Sequence, residues 1–220
     1  MTGEVAVLGA GMHPWGKWGR SFVEYGTVAA RTALGDAGIG WQDVQSVVGA
    51  DTVRGGYPGY VAGATFAQAL GWQGARVASV YAACASGAQA INTARAQILA
   101  GLAEVVLVVG ADAAPKGFFV PAGGDRPDDP DWLRFRVLGA TNPAYFALYA
   151  RRRMAVIPAN PSGGLASFGE AVPAQAIAQV CELTWQLRGT ADRRQVPGAR
   201  VGITANQGLF GHGSAVVAVR

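Results

Sequence analysis

The sequence predicts a layered α/β fold of two related halves, with a largely parallel sheet in the first half. Hydrophobic residues occupy 50% of the 220 positions and charged residues only 15%, which is enough apolar surface for a large core. Short apolar runs alternate with amphipathic segments of helical length, as they do in βαβ units. The order of features in residues 82–110 (small-residue loop, helix, glycine, strand) returns near the C-terminus, which indicates two related halves.

Three stretches follow one another along the chain. Residues 1–112 form the first half, with strands expected at 4–11, 44–50, 77–81 and 104–110 and helices at 21–36, 60–70 and 85–100. Residues 113–155 are rich in Pro, Gly and Asp and are expected to form a long segment that covers the substrate, because long ordered loops in compact domains are usually functional. Residues 156–220 belong to the second half, with a helix at 172–187 and strands at 201–205 and 214–219.

Composition and charge argue against several classes of protein. The formal net charge is +4, but the basic residues are scattered and no zinc-finger or RNA-binding motif accompanies them, so no nucleic-acid partner is expected. No apolar run reaches the roughly 18 residues of a membrane-spanning helix. The N-terminus has no secretory signal pattern, and we expect a cytoplasmic, reducing location.

Cysteine and histidine are too few and too scattered to indicate a disulfide framework or a metal site. The chain has two residues of each type. Cys181 lies within an apolar helical stretch and is expected to be an inert core thiol. His13 precedes a proline after the first predicted strand and is expected to be structural.

Cys84 is the strongest candidate for chemistry. It lies in YAACASGAQ, between a predicted strand and a predicted helix, where small neighbours leave room for a substrate to approach the sulfur. A helix N-terminus offers N–H groups and the positive end of a dipole, which both favour a thiolate. Strand–turn–helix junctions commonly present nucleophiles. The alternative is a small buried cysteine at the start of the helix, since cysteine is often simply buried.

His212 and the run Arg151, Arg152 and Arg153 each allow two interpretations. His212 lies in the glycine-rich turn NQGLFGHGS, where an imidazole can act as a base or donate to an oxyanion, or can simply occupy a turn. The arginine run is either a solvated face or a patch that binds an anionic ligand such as a nucleotide phosphate.

Several motifs, in the same order, resemble the thiolase superfamily, and within it the sterol-carrier-protein type thiolases and the acetyl-CoA acetyltransferase-like bacterial lipid-transfer proteins. They are GMHPWGKWGRS, AACASGAQAINTARAQILAG, VVLVVGAD, ATNPAYFALYARRRMA, NPSGGLASFGEAVPAQAIAQV and NQGLFGHGSAVV. The resemblance implies an αβαβα fold of two halves, a homodimer, and coenzyme A as co-substrate with no other cofactor. By its motif, Cys84 corresponds to the nucleophile that takes the acyl group from an acyl-CoA.

Within the resemblance, the substrate is expected to be a lipid or steroid side-chain CoA thioester, cleaved or extended at a carbon–carbon bond. Candidate catalytic residues are Cys84, His212 and Glu170. Candidates for binding substrate or CoA are Arg151, Arg152, Arg153, Asn160, Gly211 and Gly213.

The sequence departs from the family pattern in the residues that would assist the cysteine. Glu170 occupies the place of the histidine that activates the cysteine, and an ionised carboxylate there would raise the thiol pKa. The final loop lacks the usual second catalytic cysteine, and His212 lies near its place. Relative to the family, roughly 150 residues have no counterpart, and the shortfall falls between Met154 and Asn160.

These departures leave alternatives to a thiolase. One is a retro-aldolase of side-chain CoA degradation that works with a partner carrying an OB-fold and a zinc ribbon, with His212 or Glu170 as the acid–base group. Another is a non-catalytic, thiolase-like scaffold subunit. A ketoacyl synthase-like condensing enzyme ranks last, because it requires two histidines in its site.

Overall fold

The computed structural model describes residues 4–16, 18–51, 62–113, 161–162, 172–207 and 213–219. Within them, the α-helices are α1 (Phe22–Ala37), α2 (Ala62–Leu70), α3 (Ser86–Leu99) and α4 (Gln175–Arg188). The strands are β1 (Ser46–Ala50), β2 (Arg76–Val80), β3 (Val106–Gly110), β4 (Val201–Gln207) and β5 (Gly213–Val219). The predicted α/β fold class is confirmed, and these elements lie where the sequence predicts them, with ends shifted by at most three residues.

The first half is a parallel sheet with helices on both faces. Its strand order is β2-β1-β3, and Val47 of β1 lies beside Val77 and Leu107. Successive residues of β1 face opposite sides of the sheet. Val47 joins a core with α1 and α2, whereas Val48 joins a core with α3. Helices on both faces explain why the strands of a parallel sheet read as continuous apolar runs.

Helix α1 shows how strongly the local sequence specifies these elements. The Ser21 hydroxyl accepts a hydrogen bond from the Glu24 N–H (3.2 Å) and the Glu24 carboxylate accepts one from the Ser21 N–H (2.9 Å), which together form a capping box. The helix ends at Gly38, whose φ of 69° suits glycine. A Cβ at Gly26 would collide with the Phe66 ring, so glycine at this position lets α1 approach α2 closely.

The second half contributes α4 and the antiparallel hairpin β4–β5. Helix α4 packs against α3 on one side and against the hairpin on the other. The Asn206 side chain donates a hydrogen bond to the Gln179 side chain (3.1 Å), which ties β4 to α4. The described residues therefore form four layers: α1 with α2, the parallel sheet, α3 with α4, and the hairpin. This order matches the predicted αβαβα arrangement, with the second half represented in part.

The strand predicted at residues 4–11 is wrong for the described residues of that segment, which are irregular. Side chains hold this backbone instead of a neighbouring strand. The Ala10 N–H donates to the Asp36 carboxylate (2.9 Å), and the Arg188 guanidinium donates to the carbonyl oxygens of Val7 and Leu8 (3.3 and 2.8 Å). A short apolar run cannot distinguish a strand from an extended segment held in this way.

None of the helices in the described ranges has both the length and the apolar character that crossing a membrane requires.

Candidate functional site

The nucleophile candidate Cys84 lies at a sharp junction between β2 and α3. Strand β2 ends at Val80, a short 3-10 turn spans Ala83–Ala85, and α3 begins at Ser86. Cys84 is partly exposed and forms no disulfide. The N-terminus of α3 is the positive end of its helix dipole, which stabilises negative charge nearby. The Ala85 and Ser86 N–H groups themselves donate to the Ala82 and Ala83 carbonyls. The predicted strand–turn–helix setting of Cys84 is confirmed.

The residue before Cys84 has an unusual backbone conformation. Ala83 has a φ of 47°, in the left-handed region that residues with a Cβ rarely adopt. The buried Ser86 side chain spans this turn: its hydroxyl accepts from the Ala82 N–H (2.9 Å) and donates to the Ala83 carbonyl (2.7 Å). Strained backbone persists where surrounding contacts determine it, and it is concentrated at functional sites. Ser86 supplies such a contact for the Cys84 turn.

The second half of the chain packs directly against this turn. The backbone at Pro173 lies between Gly87 of α3 and Gly110 of β3, since a Cβ at Gly87 would lie 2.9 Å from the Pro173 carbonyl oxygen and a Cβ at Gly110 would collide with it. The Val172 N–H donates to the Asp112 carboxylate (3.2 Å). The two glycines therefore let the start of α4 reach the Cys84 region, and Asp112 fixes it there.

Gln175, the first residue of α4, contacts the nucleophile's backbone. Its side-chain amide Nε2 donates a hydrogen bond to the Cys84 carbonyl oxygen (3.0 Å), and the residue is only 8% exposed. Strand β4 also contacts the Ala83–Ala85 turn. Residues from both halves therefore surround Cys84.

Cys181 and His13 have the structural environments that the sequence predicts. Cys181 lies in α4 at 5% exposure, and burial raises the pKa of its thiol to about 11. A thiol with such a pKa is almost wholly protonated at neutral pH and is a poor nucleophile. The His13 ring packs against Tyr25 with ring centres 4.8 Å apart, and its Nδ1 lies 2.7 Å from the Pro14 carbonyl oxygen.

Several predicted site residues lie outside the described ranges, so their placement stays a prediction. They are His212, Glu170, Arg151, Arg152, Arg153, Asn160 and Gly211. Gly213 is described as the first residue of β5 and pairs with Gln207 at the end of β4. Within the described part of the chain, no group of three or more His, Cys, Asp or Glu residues lies close enough together to bind a metal ion.

Three residues that shape the Cys84 turn were missed by sequence reasoning: Ala83, Ser86 and Gln175. A serine in the first turn of a helix commonly bonds to nearby backbone groups, so Ser86 could have been found from the sequence. Gln175 offers a weaker signal, as a polar residue in the apolar stretch VPAQAIA. Nothing in the sequence marks Ala83, because its strain is a property of the folded turn.

One cavity lined by described residues is separate from the Cys84 turn. Its volume is about 1300 Å³, and its walls are residues 4–16 together with parts of α1, α3, β3 and α4. Residues 5–11 and 104–112 line it from different parts of the first half. Cys84 and Gln175 are not among the described residues that line it. We therefore do not assign this cavity to the chemistry of Cys84.

Comparison with known families gives two matches in the same order as the two halves. Residues 5–114, half of the chain, match the model of the family "Thiolase, N-terminal domain". Residues 142–219 match that of "Thiolase C-terminal domain-like". The N-terminal match contains the Cys84 turn, and the C-terminal match contains Gln175 and the hairpin.

Individual relatives match over shorter stretches. An acetyl-CoA acetyltransferase of Methanothermobacter thermautotrophicus is 53% identical over 60 residues, which are 27% of this chain and 16% of that protein. Human sterol carrier protein 2 is 56% identical over 52 residues, 24% of this chain and 10% of that protein. A Methanocaldococcus jannaschii acetyl-CoA acetyltransferase is 29% identical over 154 residues, 69% of this chain and 38% of that protein. The chain thus matches well under half the length of these relatives.

Solved structures resemble the chain more distantly. The "Ltp2-ChsH2(DUF35) aldolase" structure has a TM-score of 0.46 at 22% identity and covers 71% of this chain and 39% of that one. Acetyl-CoA acetyltransferase from Syntrophomonas wolfei has a TM-score of 0.41 at 23% identity, covering 46% and 27%. Because the N-terminal family match alone covers half of the sequence, and the C-terminal match follows it in order, the chain belongs to the thiolase superfamily.

Proposed function

We propose that this protein is a thiolase-like acyltransferase in which Cys84 takes an acyl group from an acyl-CoA. The observation that carries the proposal is the Cys84 turn itself. A partly exposed cysteine follows a strained residue at the N-terminus of α3, within the segment that matches the thiolase N-terminal domain. Small neighbours and the helix N-terminus are what a nucleophilic thiolate needs.

In the proposed step, the Cys84 sulfur attacks the thioester carbonyl of the acyl-CoA. The bond between that carbonyl carbon and the CoA sulfur breaks, and a thioester on Cys84 forms. The proton of the Cys84 thiol passes to the departing CoA sulfur, so the products are the acyl-enzyme and free CoA. The positive end of the α3 dipole would stabilise negative charge as it develops.

The proposed substrate is a lipid or steroid side-chain CoA thioester, and the acyl-enzyme would then take part in carbon–carbon bond cleavage or formation. His212 and Glu170 are the proposed acid–base residues. Arg151, Arg152 and Arg153, with Asn160, Gly211 and Gly213, are the proposed contacts to substrate and CoA. The names of the sterol carrier protein relatives support a lipid-related substrate.

Intact-mass measurement after mixing with acetyl-CoA, or with a longer acyl-CoA, tests the proposal. We expect the wild-type protein to gain the mass of one acyl group and Cys84→Ala to gain none. Cys181→Ala is the matched control: it removes the chain's other cysteine, which is buried in α4, and should be acylated like the wild type. Acylation of Cys84→Ala, or no acylation of the wild type by any acyl-CoA, would contradict the proposed mechanism.

A second candidate is a retro-aldolase that acts on a side-chain CoA substrate together with an OB-fold, zinc-ribbon partner. It is favoured by Glu170, which stands where the family has the histidine that activates the cysteine. In that case Cys84→Ala would keep its carbon–carbon cleavage activity when the partner is present, whereas a thiolase would lose it. A non-catalytic scaffold subunit would show neither acylation nor cleavage.

We further propose a homodimer located in the cytoplasm. Strand β2 is at the edge of the three described parallel strands, and Val77 and Tyr81 are 40% and 52% exposed there. Exposed edge strands are sites where a second chain can pair. Light scattering should therefore give twice the 22.6 kDa mass of one chain, and a mass of one chain would contradict the dimer.

A further inference from the structure

We propose that Gln175 is a positioning residue for Cys84, which holds the cysteine's own backbone carbonyl and thereby fixes the direction of the thiol. The inference rests on the proposed function and adds to it a residue from the second half of the chain.

The geometry of the Gln175 amide has one interpretation. A carbonyl oxygen only accepts hydrogen bonds, so the Gln175 side-chain atom that lies 3.0 Å from the Cys84 carbonyl oxygen must be the amide nitrogen, which donates. The amide oxygen Oε1 then points elsewhere. It is buried and has no hydrogen-bond partner among the described residues. The Cys84 carbonyl is thus the contact that determines how this side chain is oriented.

As a contribution to stability, this arrangement is poor. Burying a polar atom without a partner costs more than a single neutral hydrogen bond returns. An unbranched apolar side chain of similar length would fill the same space without that cost, and only the Cys84 carbonyl would lose a partner by the exchange. The presence of an amide is therefore better explained by its bond to Cys84 than by packing.

Gln186, three turns further along α4, shows what a purely structural glutamine looks like. It is 5% exposed, and both ends of its amide are bonded. Its Nε2 donates to the Glu182 carboxylate (2.9 Å) and the Arg194 carbonyl (2.8 Å), and its Oε1 accepts from the Val196 N–H (2.8 Å). Gln186 binds the loop after α4, and none of its hydrogen bonds within the described part of the chain reaches the Cys84 turn.

Gln175 completes a set of bonds around the nucleophile. The Ser86 hydroxyl donates to the carbonyl of Ala83, and Gln175 donates to the next carbonyl, that of Cys84. Two consecutive carbonyls of the first half are therefore held, one by a donor from each half of the chain. Because displacements of about 1 Å slow reactions that depend on orientation, losing either bond should slow attack by the sulfur.

Gln175→Met tests the assignment, with Gln186→Met as the matched control for loss of a buried amide on the same helix. Each variant is compared with the wild type by its melting temperature and by the rate of Cys84 acylation with acetyl-CoA, followed by intact mass. We expect Gln175→Met to be acylated about tenfold more slowly while its Tm changes little, because removing the unpartnered Oε1 offsets the loss of the bond to the Cys84 carbonyl. We expect Gln186→Met to melt at a lower temperature and to be acylated at the wild-type rate.

Gln175→Glu provides a second test if the first variant does not fold. A neutral carboxyl group can donate to the Cys84 carbonyl, but an ionised one cannot. The acylation rate of Gln175→Glu, divided by that of the wild type at each pH, should therefore fall as the pH rises. An ionised carboxylate also raises the pKa of the Cys84 thiol, so the rates are compared per thiolate, with the thiolate fraction of each protein followed by its ultraviolet absorbance. A merely structural role would leave this corrected ratio constant within the range where the variant remains folded.

The alkylation rate of Cys84 with iodoacetamide separates failure of this inference from failure of the proposed function. If the wild type is not acylated by any acyl-CoA, the proposed function fails, but slower alkylation of Gln175→Met than of the wild type still supports the positioning role. The positioning role would be overturned by equal rates for Gln175→Met and the wild type, measured as acylation if the wild type is acylated and as alkylation if it is not. It would also be overturned by a loss of Tm in Gln175→Met as large as that in Gln186→Met.

Discussion

At the scale of single residues, the two cysteines show how environment decides what the same side chain does. Cys84 is partly exposed at the start of α3, whereas Cys181 is 5% exposed in the middle of α4. Burial disfavours the charged thiolate, which raises the pKa of Cys181 from 9.0 to about 11. The Gly11 carbonyl oxygen, 3.8 Å from its sulfur, is a further contact of this core thiol.

The raised pKa of Cys181 predicts a loss of stability in alkaline solution. The unfolded thiol ionises near its ordinary pKa and the folded one only near 11, so the stability is fully present below pH 9 and is lost as the pH rises toward 11. Two pKa units correspond to about 3 kcal/mol. Urea unfolding across this range should show the wild type losing up to that much more than Cys181→Ala, whereas Cys84→Ala should lose as much as the wild type. Parallel curves for the wild type and Cys181→Ala would contradict the prediction.

The residue types predicted the location of the candidate nucleophile but not the network around it. Small neighbours and a strand–helix junction are visible in the letters AACASGA, and so is the apolar surrounding of Cys181. The bond from Gln175 to Cys84 joins residues 91 positions apart, and the left-handed φ of Ala83 is a property of the folded turn. Interactions of this kind depend on tertiary structure and have no local signature.

At the scale of elements, helices and parallel strands were predicted well because their signals are local. Helix α1 has its capping box at Ser21 and its glycine at position 38, and α4 likewise ends at Gly189 with a φ of 76°. The segment before α1 was predicted less well. Gly9 and Gly11 lie so close to α1 that a Cβ on either would collide with the backbone near Ala33, so this segment follows the helix.

The Asp36 carboxylate is predicted to hold this segment in place. It accepts from the Ala10 N–H and pairs with Arg188 (2.8 Å), and these contacts hold the pKa of Asp36 below its usual value of 3.8. Both side chains are more than a third exposed, so we expect Asp36→Ala to cost only on the order of 1 kcal/mol at neutral pH. Because the folded pKa is lowered, this contribution is present above pH 3.8 and is lost as the pH falls through the folded value.

Hydrogen exchange provides the local readout for this prediction. The Ala10 amide should exchange faster in Asp36→Ala than in the wild type. Asp43→Ala is the control, since its carboxylate accepts one bond from the Gly40 N–H (2.7 Å) and does not touch residues 4–16. Equal exchange at Ala10 in the wild type and Asp36→Ala would show that other contacts hold the segment.

At the scale of the whole molecule, the layers explain why the two halves must fold together. The candidate site draws Cys84 from the first half and Gln175 from the second, and the backbone at Pro173 fills the space that Gly87 and Gly110 leave open. The sequence predicted the layered order because the alternation of strands and helices limits the possible architectures. It did not predict how the layers pack, because that depends on which glycines allow close approach.

The last of the described layers, the hairpin, has an outer face where a charged substitution should leave stability unchanged and an inner face where it should destabilise the protein. On the outer face, Ile203 is 65% exposed. Its neighbours Val201 and Val219, which pair with each other across the two strands, are 61% and 69% exposed. Thr204, the next residue along β4, is 3% exposed on the inner face, where its hydroxyl accepts from the Val216 N–H (3.1 Å).

We therefore expect Ile203→Lys to leave the free energy of unfolding within about 0.5 kcal/mol of the wild type and to weaken binding of an apolar dye to the outer face. Thr204→Lys places a charge in the core beside α4 and should destabilise the protein by about 3 kcal/mol or more. Urea unfolding of both variants checks this, and equal destabilisation would mean that the outer face is covered in solution, by a second copy of the chain or by another segment.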